Sequence, residues 1–109
     1  MIRLIPDPTF DELVRLTVPG LPEPVDVPMT FRHMTARQAS DWFSASKDKP
    51  SAEALADIVR GWRGVMGEDG RDIAYSTEAL AALLENYQPA ASEIMRAWQI
   101  GLTESRIKN

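Results

Sequence analysis

The chain has 109 residues, 44% of them hydrophobic and 26% charged, with a formal net charge of −4 and no cysteine. That length makes one domain around a single modest core, and the apolar share excludes disorder as the default state. The lack of cysteine excludes disulfides, thiolate zinc sites and cysteine nucleophiles, and an acidic chain with no basic block argues against nucleic acid or an anionic membrane as partner.

Met1 to Pro6 lacks the apolar run of a signal peptide, and no later segment approaches membrane-spanning length. From Phe10 to Val18 the pattern has a period of two, with Phe10, Glu12, Val14, Leu16 and Val18 on one face and Asp11, Leu13, Arg15 and Thr17 on the other. The same period returns with Val25, Val27, Met29 and Phe31 against Asp26, Pro28, Thr30 and Arg32. Period two is the strand signature. The intervening Pro19-Gly-Leu-Pro-Glu-Pro24 has turn chemistry, so the two runs predict an antiparallel hairpin with one apolar face. Pro28 cannot donate to a ladder, which predicts an edge position for its strand. A lone hairpin is marginal, so its apolar face requires helices or a partner protein.

After Phe31 the period becomes helical. Thr35-Ala-Arg-Gln38 has the form of a capping box opening a helix with Ala39, Trp42 and Phe43, which should fade between Lys47 and Pro50. Ser51 reads as the N-cap of a second helix with Glu53 in its first turn. Leu55, Ile58, Val59 and Trp62 then fall at i, i+3, i+4 and i+7 as one apolar stripe. Ser76 reads as the cap of a third helix bearing Leu80, Leu83, Leu84 and Tyr87, with Tyr75 and Leu80 at hydrophobic-staple spacing. Pro89 suits the first position of a fourth helix with Ala91, Ile94, Met95, Trp98 and Leu102 on one face, and the polar Ser105 to Asn109 should fray. The expected fold class is α+β and predominantly helical. It is one domain over 1–109, with an N-terminal antiparallel β-hairpin over about 10–32 and about four α-helices over about 35–105.

Between the second and third helices lies Arg60-Gly-Trp-Arg-Gly-Val-Met-Gly-Glu-Asp-Gly-Arg-Asp-Ile-Ala-Tyr-Ser76, with four glycines and three acids. A calcium loop with Gly70 at its sixth position would put Val65 first, Gly67 third and Ser76 twelfth, so the oxygen ligands are missing. A phosphate cradle would need Gly-Lys-Ser/Thr after a strand, and that is missing too. The stretch reads as a connector in which Gly64, Gly67 and Gly70 permit crowded or left-handed backbone and Glu68-Asp69-Gly70 turns the chain.

No catalytic set assembles from the remaining residues. His33, the one histidine, has only Asp26 and Asp41 as candidate orienting partners and reads as a structural hydrogen bonder. No serine has a nucleophile-elbow context, and the pairs Glu68-Asp69 and Asp11-Glu12 do not build a two-carboxylate site. Neither a metal nor a cofactor is called for. Trp42, Trp62 and Trp98 read as core, while Met29, Met66 and Met95 supply core or adaptable contact surface.

Taken in order, these motifs resemble the tail assembly chaperones of bacteriophages with long, non-contractile tails. The resemblance runs from about Phe10 to Asn109. It rests on Phe31-Arg32-His33 after the hairpin, Trp42-Phe43 in the first helix, Trp62-Arg63-Gly64-Val65 leading to Asp69-Gly70, and the spaced set Ser76, Glu78, Leu80, Leu83, Leu84 and Tyr87. The closing Lys108-Asn109 belongs to it as well. Two differences are Gln88, which separates Tyr87 from Pro89, and Trp98 in the Ala97-Trp98 pair, where relatives carry tyrosine. The resemblance implies a non-enzymatic chaperone in the host-cell cytoplasm, of phage or prophage origin. Such a protein binds the tape measure protein, keeps it soluble until the tail tube polymerises, and is absent from the finished virion. The major tail tube protein and self-association are further implied partners, and some relatives make a longer frameshifted product. Val65, Met66 and Met95 are the residues expected to contribute to a groove for an apolar helical face. The competing expectation is a small regulatory or antitoxin-like adaptor that dimerises through its hairpin.

Overall fold

The computed structural model describes residues 1–104 of the chain, so the expectations about Ser105 to Asn109 fall outside the described residues. Strands β1 (Thr9–Leu16) and β2 (Val25–Arg32) form the expected hairpin, in register from Thr9 opposite Arg32 to Leu16 opposite Val25. Gly20 turns the connecting loop at φ 90°. Val14, Leu16, Val27, Met29 and Phe31 are buried, so the apolar face of the hairpin is taken by this chain's own helices. The opposite face carries Asp11, Leu13, Arg15 and Asp26 outward.

Four helices follow: α1 (Ala36–Ser46), α2 (Ser51–Ala56), α3 (Thr77–Asn86) and α4 (Ala90–Thr103). The capping box forms as expected, with Thr35 Oγ1 accepting from the Gln38 N–H and Gln38 Oε1 accepting from the Thr35 N–H. Ser76 caps α3 by accepting the Ala79 N–H at 3.0 Å. Two start signals are displaced. Pro50, not Ser51, precedes α2 as an extended residue whose carbonyl accepts the Ala54 N–H, so Ser51 lies inside the first turn and caps nothing. Pro89 stands one residue ahead of α4 rather than at its first position.

The largest departure is a third strand. Val59–Trp62 is β3, which pairs antiparallel with β2 and gives the sheet the order β1-β2-β3. The second helix therefore ends at Ala56, where Asp57 and Ile58 make short-range N–H bonds to Ala54 and Leu55. The stripe Leu55, Ile58, Val59 and Trp62 is buried, but a helix and a strand share it. The adjacent β-branched residues Ile58 and Val59 favour the pleated state, and β2 offers an open row of backbone groups to satisfy. The pairing shifts between Thr30 and Phe31, leaving Arg60 as the extra residue of a bulge. Helices make up 39% and strands 21% of the structure, so predominantly helical overstates an α+β fold with a full small sheet.

Because β3 covers it, β2 is the central strand and Pro28 is not on an edge. Its carbonyl accepts the Arg63 N–H at 3.0 Å, just beyond the end of β3. A residue's N–H and C=O point to the same side of a strand, so the missing Pro28 donor faces the place where that ladder stops. The proline ends a pairing without breaking one.

The buried residues form one cluster that runs from the sheet through Leu55, Ile58, Leu80 and Ile94. Each tryptophan satisfies its indole N–H: Trp42 to Asp57 Oδ2 at 3.0 Å, Trp62 to the Ile73 carbonyl at 2.9 Å, and Trp98 to the Arg32 carbonyl at 2.9 Å. This lets large rings enter the core without a polar penalty. Helix α4 runs along β1. Gly101 permits the approach, since a Cβ there would collide with the Phe10 ring. At the other end the Glu93 carboxylate accepts both the N–H (3.0 Å) and the hydroxyl (2.6 Å) of Thr17.

Candidate functional site

The glycine-rich connector is a small hairpin. Ile73 N–H donates to the Val65 carbonyl at 2.7 Å, Gly67 N–H to Arg71 at 2.9 Å, and Gly70 N–H back to Gly67 at 3.0 Å. Gly64 and Gly70 take positive φ values of 74° and 76°, and Asp69 Oδ1 accepts the Arg71 N–H. The acids thus shape a turn. Trp62 and Tyr75, 5.1 Å apart and edge to face, close its base on the core.

A concavity of about 460 Å³ lies elsewhere, between the end of α1, the start of α2 and the first half of α4. Its floor is apolar: Trp42, Ala54, Leu55 and Ala91, with Phe43 and Met95 on the walls. Trp42 is braced edge-on by Phe43 at 5.2 Å and Trp98 at 5.1 Å. Met95 is half-buried and unbranched, which suits it to irregular contacts. The turn after α1 brings Lys47 and Lys49, two of the chain's three lysines, to the rim of an otherwise acidic protein. Ser46 Oγ is buried in the same wall without a hydrogen-bond partner among the described residues. A smaller hollow of about 250 Å³ lies on the outer side of the sheet, lined by Asp11, Pro28, Thr30, Gly61 and Arg63 among others.

Of the three residues expected to meet a partner, only Met95 lines the groove. Val65 is half-buried against the core, and Met66, 66% exposed, bridges to Asp72 in the connector hairpin. Neither lines either hollow. Reading the sequence missed Phe43, Ser46, Lys47 and Lys49, because the segment before Pro50 reads only as a fading helix end. The available signal was two lysines, four and six positions after a Trp-Phe pair, in an acidic chain. His33 makes a main-chain bond to the Pro8 carbonyl at 2.9 Å and none to Asp26 or Asp41 among the described residues. Within the described residues no three His, Cys, Asp or Glu side chains cluster to hold a metal, and no helix is long and apolar enough to cross a membrane.

The groove therefore combines an apolar aromatic lining, one methionine and two lysines on elements drawn from three helices. Over its whole length, residues 1–109, the chain matches the family described as phage tail assembly chaperone, and it belongs to that family. Comparison with curated proteins finds no match, and neither does comparison with solved structures. Family membership gives the protein a role in tail assembly and tail proteins as its partners.

Proposed function

We propose that the protein is a non-enzymatic chaperone that binds the tape measure protein in the host-cell cytoplasm. It keeps that protein soluble while the tail tube forms and leaves before the virion is complete. The whole-length match to the tail assembly chaperone family carries this reading. The groove supports it physically: a tape measure segment is a long helix whose apolar face needs cover, and a helix-lined groove with Trp42, Phe43 and Met95 at its surface fits one. Met95 contacts the partner from the groove, with Val65 and Met66 extending the contact over the connector. The major tail tube protein is a second, weaker partner that displaces the chaperone as it polymerises. A hairpin-dimerising adaptor has less support, because the hairpin's apolar face is already buried under helices.

Co-expression tests the proposal. The chain should raise the soluble yield of the tape measure protein and co-elute with it. Met95→Glu, at a half-buried wall position, should abolish co-elution while leaving the chaperone folded. An unchanged soluble yield with no complex from the wild-type chain would overturn the reading.

A further inference from the structure

Lys47 and Lys49 stand on the short turn between α1 and α2, along one side of the groove floored by Trp42 and Leu55. Among the described residues they are the charged members of the lining, and both are of one sign. Neither belongs to an ion pair among the described residues. The nearby carboxylates do not neutralise them inside the groove. Asp57 accepts the Trp42 indole N–H at 3.0 Å, and Glu93 is held by the N–H and hydroxyl of Thr17. Asp48 and Glu53 lie on the same turn and helix as the lysines but outside the lining. Across the groove the α4 side is neutral, with Ala91, Met95 and Ser92, whose hydroxyl donates to the Pro89 carbonyl at 3.0 Å. At physiological salt, exposed charges more than about 8 Å apart are largely screened. A segment lying in the groove therefore meets two local cations, although the chain as a whole carries −4.

We propose that the groove selects an amphipathic helix with glutamate or aspartate along one flank of its apolar face, and rejects one flanked by lysine or arginine. This rests on the reading of the groove as the seat of a helical partner and adds the charge by which the segment is chosen. Apolar anchors at i, i+3 or i+4, and i+7 would lie against Trp42, Leu55 and Met95. Carboxylates beside them on the α1–α2 side would come within reach of Lys47 and Lys49, whose flexible stems follow the apolar wall while their heads stay in water. Apolar contact is much the same for every amphipathic segment, so it gives affinity without choice. The two lysines supply the choice, by attraction to one class of helix and repulsion of the other.

Two synthetic helical peptides of about 20 residues test this, sharing one leucine stripe and differing only in glutamate or lysine on its flanks. Each is titrated onto the full chain by calorimetry, with amide NMR shifts at Leu55 and Met95 locating it in the groove. Wild type should bind the glutamate peptide about tenfold or more tighter than the lysine peptide, a ratio that shrinks to about threefold or less in about 0.5 M salt. The double variant Lys47→Glu with Lys49→Glu, at exposed positions outside the core, should reverse the preference, with circular dichroism confirming the fold. Equal affinity for the two peptides, a preference that survives the double reversal, or a groove that takes neither peptide because a second copy of this chain fills it would overturn the proposal. A chain that shows the preference yet forms no complex with the tape measure protein would remove that reading and keep this one. One that holds the tape measure protein without any peptide preference would do the reverse.

Discussion

Gly70 closes the connector turn at φ 76° with open space where a Cβ would stand. Substitution there therefore tests backbone strain without a clash. Gly70→Val should destabilise the fold by about 1–2 kcal/mol, the cost of a left-handed residue, as read from urea denaturation midpoints. Tyr75 offers a second test at the same scale. Burial raises its phenol pKa above the ordinary 10.0, a rise that nearby Arg60 partly offsets, and its hydroxyl has no hydrogen-bond partner among the described residues. A raised folded-state value means the native protein holds the proton more tightly than the unfolded chain. The stabilising contribution is therefore complete below pH 10.0 and is lost as pH rises through the folded value. Tyr75→Phe should unfold less readily than wild type above pH 10.0 and gain up to about 1 kcal/mol at neutral pH by removing an unmet polar group. Thermal scans from neutral to alkaline pH would show both effects.

The elements that local chemistry specifies were legible in advance. The hairpin is written in strict alternation around a proline-glycine turn, and α1 and α3 begin at side-chain caps that span only four consecutive residues. The segment from Ser51 to Trp62 was not legible, since a helix followed by a strand can present the same apolar spacing as one longer helix. What settles it is the vacant side of β2, which no local pattern contains. The displaced start of α2 gives a direct check. Ser76→Ala should cost about 1 kcal/mol because it removes a real cap, whereas Ser51→Ala should change stability by no more than a few tenths. Equal losses from the two substitutions would return Ser51 to the capping role.

Across the whole molecule, Trp62 is where sheet, connector and the approach to α3 meet. It is buried, stacks edge to face with Tyr75 and holds the Ile73 carbonyl. Trp62→Ala should cost about 3–5 kcal/mol in chemical denaturation, a large share of a small domain's stability. A loss below about 1 kcal/mol would move this residue out of the core. The groove belongs to this scale too. Its floor, walls and rim come from α1, α2 and α4, which lie up to some fifty positions apart in the chain.

The residue order alone determined the hairpin, its buried face, two capped helices and the glycine turn, because each is written in local patterning, and the likeness to tail assembly chaperones, because that rests on the order and spacing of short motifs along the chain. Tertiary structure alone decided that Val59–Trp62 is a strand, that Pro28 stands in a central strand, and that Lys47, Lys49, Ser46 and Met95 share one groove while Val65 and Met66 stand apart from it. The reason is physical. Strand pairing and concavity depend on backbone and side-chain groups brought together from distant positions, and their energies appear only once the chain has closed on itself.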